Sequence, residues 1–360
     1  MKLQPRPLAL PLTRSLHLST RRLMLLLALG LLTTILLLTL GGGRQALTLL
    51  ARADWRWIGL AILIHYSGFA VRGWRWQALL VNMGHRLSWR YLTTLLISGW
   101  FLSALLPARA GDVMRVGVLR LGAPGRPPIP VADALGSLVL ERALDLLAIL
   151  VLGLAFAYAA LRTALPGWVM TAYAVGVAGL LLLAGTLLLA PTLLERLRNR
   201  VSHPRWNHTL WQRSVDFVIQ LIASLRTLGQ QPLRLGPIVL ASLYIWLCDA
   251  LLMWLVVHSL GEALGFARAA FVALTVDVFA TVPLTPGAIG QIEAVNATLL
   301  AWLQLPEASV AAVVLINRAI SYWTFLLFSG LITLIGGFGQ LFRQAHAAGQ
   351  PNEPTPEINE

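Results

Sequence analysis

Three groups of ionisable or helix-breaking residues lie in stretches that are otherwise almost wholly apolar: Pro107–Arg115, Glu141–Asp145 and Pro283–Glu293. Charged side chains at membrane depth cost roughly 2.5–3.5 kcal/mol each, so they face a cavity or a partner rather than lipid. In the first group Pro107 and Gly111 interrupt a helix and free backbone groups that cannot face lipid. A second half-helix is expected to start near Gly111-Asp112. Asp112 is placed to cap it, and Arg115 lies one turn further on the same face. Arg109 and Arg115 beside a helix N-terminus suit a phosphate, since charge, forked donors and dipole all favour an anion. The alternative is an interfacial turn with snorkelling arginines. In the second group Glu141 and Asp145 share a helix face, and Arg142 stands three before Asp145. That spacing suits either a structural ion pair locking helices together or a counter-charge for a substrate headgroup. In the third group Pro283 and Pro286-Gly287 force a break, and Gly287 and Gly290 permit close backbone approach. Glu293 then falls in the first turns of the next half-helix, favourable against its dipole. Asp277 precedes the break, and Asn317, Arg318 and Tyr322 of the last apolar stretch are candidates to pair with Glu293 or Asp277.

The elements that must carry these residues follow from composition. The 360 residues are 57% hydrophobic and 12% charged, where a globular chain carries about 25% charged residues. A soluble fold could not hide that apolar surface. The net charge of +13 has no polar folded module to display it, so a nucleic-acid partner is not expected. Apolar stretches occupy 23–40, 57–81, 91–106, 131–161, 167–190, 235–260, 268–303 and 309–339. A full span needs about 20 apolar residues. Six stretches meet or nearly meet that, while 91–106 and 268–303 read as broken, re-entrant hairpins. The expected fold is therefore all-α: a polytopic transmembrane bundle of about six spans plus two re-entrant hairpins. It divides into a basic N-terminus (1–22), a single transmembrane domain (23–341) and a disordered tail (342–360). The run Leu23–Leu40 is longer than a signal-peptide core and reads as an uncleaved first span.

Arginine counts beside the spans give the orientation. The N-terminal segment, the turn after the second span (Arg72, Arg75, Arg86 and Arg90) and the loop 191–234 are arginine-rich and belong on the cytoplasmic side. Both termini then fall inside, in what reads as a bacterial inner membrane. The first broken hairpin would enter from the cytoplasm and the second from the outer face. Opposed re-entrant segments are what an inverted pseudo-repeat with a central site would produce, although the two halves share no clear sequence repeat. Residues 205–230 mix Trp206, Trp211, Phe217 and Leu221 with Arg205, Arg213 and Arg226. They form either an amphipathic helix on the anionic inner leaflet or a helix packed on neighbouring loops.

No phosphate-loop motif, HExxH motif, paired Cys/His ligand spacing or serine nucleophile elbow occurs, so no catalytic residue, metal or cofactor is expected. Cys248 stands alone in an apolar run and reads as packing, as do His65, His85 and His258; Asp249 reads as a local hydrogen-bonding residue.

The order of these clusters resembles the transmembrane region of the lysylphosphatidylglycerol synthases, a family of flippase-like integral membrane proteins. The resemblance rests on Arg72–Trp76, Leu106–Arg115, Glu141–Asp145, Pro283–Glu293 and Asn317-Arg318, spread over roughly 70–325. It implies movement of a phospholipid or lipid-linked headgroup between leaflets. In the two-domain synthases this region is associated with flipping aminoacylated phosphatidylglycerol. The 360 residues hold no counterpart of the aminoacyl-transferase domain, so synthesis of that lipid is not expected of them. On this reading Arg109, Asp112, Arg115, Glu141, Arg142, Asp145, Asp277, Glu293 and Arg318 form the translocation site, and a lipid-synthesis enzyme is a candidate partner. The competing readings are an intramembrane transferase, with Glu141, Asp145 or Glu293 as general base, and a scaffold for envelope enzymes.

Overall fold

The computed structural model of the protein describes residues 43–106, 109–122, 127–160, 165–201, 209–227 and 232–336, with isolated positions at 28, 32, 33, 35 and 39. The expected basic N-terminus, the tail, Pro107, Arg205 and Trp206 lie outside the described residues. So does most of the first apolar stretch, of which Ala28, Leu32, Thr33, Ile35 and Thr39 are helical.

Among the described residues the protein is helical and holds no strand. In chain order the helices are α1 (Arg44–Arg52), α2 (Trp55–Asn82), α3 (Trp89–Leu105), α4 (Ala110–Leu121), α5 (Val131–Ala160) and α6 (Gly167–Val201). They continue with α7 (Thr209–Thr227), α8 (Pro232–Ser259), α9 (Phe266–Ala280), α10 (Gln291–Trp302), α11 (Glu307–Arg318) and α12 (Phe325–Ile335). A π-helical turn, Ala319–Thr324, joins the last two into one rod. Caps mark where chain direction changes: Asp54 accepts from the Arg56 amide at 3.0 Å to start α2, and Ser88 from the Tyr91 amide at 3.4 Å to start α3.

Four described rods are long and apolar enough to cross a membrane: α5, Gly167–Leu187 of α6, Arg234–Ser259 of α8, and Glu307–Ile335. Of the other two expected spans, 23–40 is mostly undescribed, and 57–81 forms α2, whose 28 residues include Arg72 and Arg75. The outward faces are apolar. Leu181 and Leu182 of α6 and Leu327 and Leu334 of α12 are exposed, a surface that suits lipid and not water.

The two broken stretches form helical hairpins, α3–α4 and α9–α10, rooted at opposite ends of the bundle. The Asp54 amide donates to the Ser259 carbonyl at 2.8 Å, so the α8–α9 connection lies at the start of α2. The root of the first hairpin follows the other end of α2, where Arg234 donates to Asn82 at 3.3 Å. Twenty-eight helical residues separate the two roots by about 42 Å. Each hairpin is buried in its own apolar cluster. Trp76, Leu92, Leu96 and Phe325 pack around the first, and Leu252, Phe271, Leu274 and Val313 around the second. Along α5, Leu138 belongs to the first cluster and Ile149 to the second, and Glu141 and Asp145 fall between them. Those carboxylates therefore sit near the middle of a 30-residue rod, at the depth where charge is most costly.

One expectation changes, and one open alternative is narrowed. Arg72 and Arg75 are not in a cytoplasmic turn: they lie within α2 and are buried, because each finds an intramembrane acid. Of the four arginines assigned to that turn, Arg86 and Arg90 are the exposed ones. The segment 205–230 contains α7, whose Ile222, Ser224 and Leu225 are buried. Leu225 packs with Leu140 of α5 and Ile238 of α8, and Ser224 donates to Asp133 at the start of α5, so this face belongs to the bundle.

Candidate functional site

Each helix break is made by a backbone that leaves the right-handed region and by side chains that collect the freed polar groups. At the first, Arg109 takes the N-cap position of α4 with φ 51° and ψ 42°, a left-handed conformation that is uncommon outside glycine. Ser103 of α3 accepts from the Gly111 amide at 3.0 Å. Asp112 does not cap. Its carboxylate turns inward to Arg115 and Arg142, both at 3.4 Å, because two cations are better partners than one amide. Gly111 is not the break either. It lies inside α4 where the helix crosses α3, and a Cβ there would stand 1.6 Å from the Gly99 carbonyl oxygen.

At the second break, Gly287 has φ 61° and its missing Cβ leaves room for the Tyr322 ring, which would otherwise lie 2.4 Å away. Gln291 gathers the loose ends. Its side chain donates to the Phe279 and Val282 carbonyls at 2.8 and 3.1 Å and accepts from the Leu284 amide at 2.9 Å. Glu293 accepts from the Gly290 amide at 2.8 Å and from Arg318 Nε at 2.7 Å, one of the two alternatives open for the last span. Arg318 also donates to the Gly287 carbonyl at 3.0 Å and stacks on Tyr322. The π-helical turn begins directly after Arg318; such turns displace the residues beside them and recur at functional sites.

The tips of the two hairpins meet. The Arg109 guanidinium donates to the Thr281 and Ala280 carbonyls at 2.5 and 3.3 Å, closing the C-terminal end of α9 where helix carbonyls are unpaired and the dipole is negative. Tyr322 adds a hydrogen bond to the Ala104 carbonyl of α3 at 3.2 Å. A charged hydrogen bond contributes about 1.5–3 kcal/mol, and each 1.4 kcal/mol is a factor of ten. Arg109→Gln is thus expected to raise amide exchange in 281–290 about tenfold or more while leaving α5 unchanged. Equal protection in the two proteins would show that the tips are not held by this contact.

Between the hairpins lies a network of two ion-pair groups, joined through Trp246, which donates to Asp145 and stacks against Arg72. Arg115 Nη2 meets Glu141 Oε2 at 2.7 Å and its guanidinium lies 3.9 Å from the Trp76 ring centroid. Arg75 Nη1 meets Asp145 Oδ1 at 2.7 Å and donates to Ser242 at 2.8 Å, and Trp246 also donates to Asp145. Arg142 spans Asp112, Glu141 and Asp145 at 3.4–3.6 Å. Arg72, held between the rings of Trp100 and Trp246, reaches Asp249 at 3.4 Å, and His65 meets the other oxygen of Asp249 at 2.8 Å. Burial divides these groups by role. The Arg115 and Arg75 side chains are 0% and 1% exposed and already hold close carboxylates, so they are fixed inside the protein. Arg142 is 35% exposed and its contacts are long, and Arg109 is half-buried beside it. These two arginines, with Asp112 between α4 and α5, form the accessible polar edge of the network.

Of the residues singled out in the sequence, Arg109, Asp112, Arg115, Glu141, Arg142 and Asp145 come together, and Glu293 and Arg318 form a separate pair at the second break. Asp277 stands apart, with no ion-pair partner within 4.0 Å among the described residues. Arg72, Arg75, His65 and Asp249 also belong to the network, which their local sequence does not indicate. The spacing of Arg72 and Arg75, one helical turn apart with Trp76 beside them, is the available sign that they share a buried face. His258 packs against Trp254 and Trp57, as expected.

An apolar-faced helical bundle with two opposed broken hairpins around a buried ion-pair network defines an integral membrane protein whose polar site lies at membrane depth. The chain belongs to the lysylphosphatidylglycerol synthase TM region family, whose profile matches residues 25–329. Among curated proteins it is similar to a protein of Haloferax volcanii named glycosyltransferase AglD, at 27% identity over 87% of this chain and 53% of the relative. The chain thus spans about half the length of that relative. It is also similar to UPF0104 membrane proteins of Pyrococcus horikoshii, at 23% identity over 86% of this chain and 96% of the relative, and of Methanothermobacter thermautotrophicus, at 25% identity over 82% and 88%.

Proposed function

We propose that the protein is a flippase-like transporter that passes a phospholipid or lipid-linked headgroup between the leaflets of the cytoplasmic membrane. The observation that supports this most directly is the meeting of two broken hairpins from opposite ends of the bundle beside a charged network. Broken helices of this kind bring freed backbone groups and charges to the membrane midplane, where a headgroup crossing the bilayer needs polar partners. Arg109 and Arg142 take the headgroup phosphate; when it arrives Arg142 leaves Asp112, and Arg109 leaves the Ala280 and Thr281 carbonyls. Arg115 and Arg75 position the helices that carry them. The exposed Arg86, Arg90 and Arg120 at the root of the first hairpin support, by the positive-inside rule, a cytoplasmic position for that end and with it for both termini.

Reconstitution in liposomes with leaflet-specific labelling of phospholipid and lipid-linked headgroups tests this reading. Arg142→Gln is expected to slow headgroup movement about tenfold or more, the worth of one charged hydrogen bond, with little change in thermal stability because the side chain is partly exposed. No acceleration by the wild-type protein over a broad lipid panel would sink it. A second reading, a transferase acting on a lipid-linked substrate, is favoured by the name of the Haloferax relative. Mass spectrometry of the lipids from the same vesicles separates the two, since a transferase leaves covalently altered lipid.

A further inference from the structure

We propose that Asp277 is a proton-binding carboxyl that couples movement through the bundle to a transmembrane proton gradient. The inference rests on the transporter reading and deepens it. Every other acid within the described bundle interior is matched. Asp145 has Arg75, Glu141 has Arg115, Asp249 has His65 and Arg72, Asp112 has Arg115 and Arg142, and Glu293 has Arg318. Asp277 lies on α9 one turn before the hairpin tip, its Oδ2 is enclosed, and no hydrogen-bond donor reaches that oxygen among the described residues.

The charged groups that act on it come from three elements: Asp249 of α8, Arg72 of α2 and Asp145 of α5. Tyr173 of α6 faces it as well, but its hydroxyl is engaged with Thr275 at 3.2 Å. Two acids thus oppose one arginine, and that arginine is already shared with Asp249. An ionised carboxylate without a donor is very costly in such a place, whereas the neutral acid carries its own donor. The position also suits coupling. The Thr281 amide donates to the Asp277 carbonyl at 3.1 Å, and the carbonyls of Ala280 and Thr281, one turn further on, are those that Arg109 holds. Loss of the proton would leave a carboxylate one turn from the Arg109 contact and within the field of Arg72. It would draw either guanidinium from its present partner and loosen the junction of the hairpin tips. Proton binding and tip opening are then linked, and the linkage is reciprocal.

The test uses the purified full chain and dicyclohexylcarbodiimide, which modifies protonated carboxyls in apolar surroundings, with peptide mass spectrometry as readout. Asp277 is expected to be labelled, Glu141, Asp145 and Asp249 to be spared, and labelling of Asp277 to fall as pH rises. A detected but unlabelled Asp277 at every pH, or protection by sodium ions at constant pH, would overturn the proton assignment. In proteoliposomes with an imposed pH gradient, one coupled proton shifts the headgroup distribution about tenfold per pH unit. Asp277→Asn, which keeps the shape and fixes the neutral state that holds the tips together, is expected to abolish that dependence and to slow headgroup movement. Movement by the wild-type protein that ignores the gradient overturns the coupling. Absence of any movement instead refutes the transporter reading, and the labelling result still decides whether Asp277 holds a proton.

Discussion

Arg115→Met is expected to destabilise the bundle by about 3–5 kcal/mol, because it leaves the Glu141 carboxylate buried without its closest cation. The native pair is enclosed on every side. Arg115 is buried, Glu141 is 1% exposed, and the Trp76 ring covers the guanidinium face. Arg142 approaches Glu141 only to 3.5 Å and is shared with Asp112 and Asp145, so it cannot replace the lost partner in full. The companion substitution separates the pair from the packing. Arg115→Met with Glu141→Leu removes both charges, and buried pairs exchanged for apolar residues of similar volume are often close to neutral in stability. The double variant is therefore expected to recover most of the loss. Denaturant unfolding of the detergent-solubilised protein reads both quantities. A single-variant loss below about 1 kcal/mol would mean that Glu141 is not held as the geometry indicates. Movement of lipid by the double variant would confirm Arg115 as a positioning residue rather than one that touches the headgroup.

Gly111→Ala is the second large effect, and its origin is purely steric. The added Cβ would lie 1.6 Å from the Gly99 carbonyl oxygen and 2.4 Å from its carbon, so the obstruction is backbone on a packed helix. Overpacking that side chains can absorb costs about 1–3 kcal/mol. Here α3 and α4 must separate, which also pulls Arg115 from its place beside Gly99, so a loss above about 3 kcal/mol or failure to fold is expected. Gly117→Ala, six residues further along α4, is the internal control. A Cβ at that position would meet no neighbouring atom within 4 Å, and the exchange is expected to change stability by no more than about 1 kcal/mol, in the favourable direction. Thermal unfolding and elution as a single species measure both variants. Equal behaviour would show that the hairpin is not closed through the Gly99–Gly111 crossing.

Both predictions depend on close approach, which is where reading the residues in order stops short. Gly111 is legible as a residue that a broken hairpin needs, but its location inside α4 rather than at the break follows from the crossing with α3. The break itself falls to Arg109, an unusual residue for φ above zero. That conformation is sustained by its contact with α9, which is 171 residues away in the chain.

What the sequence by itself determined is the class and the rough layout. Apolar runs of span length, the Pro/Gly interruption at 283–290 and the shortened run ending at Leu106 are local properties, and helix periodicity and backbone chemistry translate them directly. The shared face of Glu141 and Asp145, with Arg142 three before Asp145, and Arg318 as a candidate partner for Glu293 or Asp277, are legible for the same reason: intrahelical distances are fixed, and a charge in an apolar run must find an opposite charge. Only the tertiary structure decided which charge finds which. Arg72 and Arg75 look like topological arginines beside a span until α5 and α8 bring Asp145 and Asp249 against them. It likewise decided that Arg115 is closed off, that Arg109 and Arg142 stay accessible, and that Asp277 has no ion-pair partner among the described residues. The physical reason is that burial and ion pairing depend on contacts between helices far apart in the chain, and no local pattern encodes their distances.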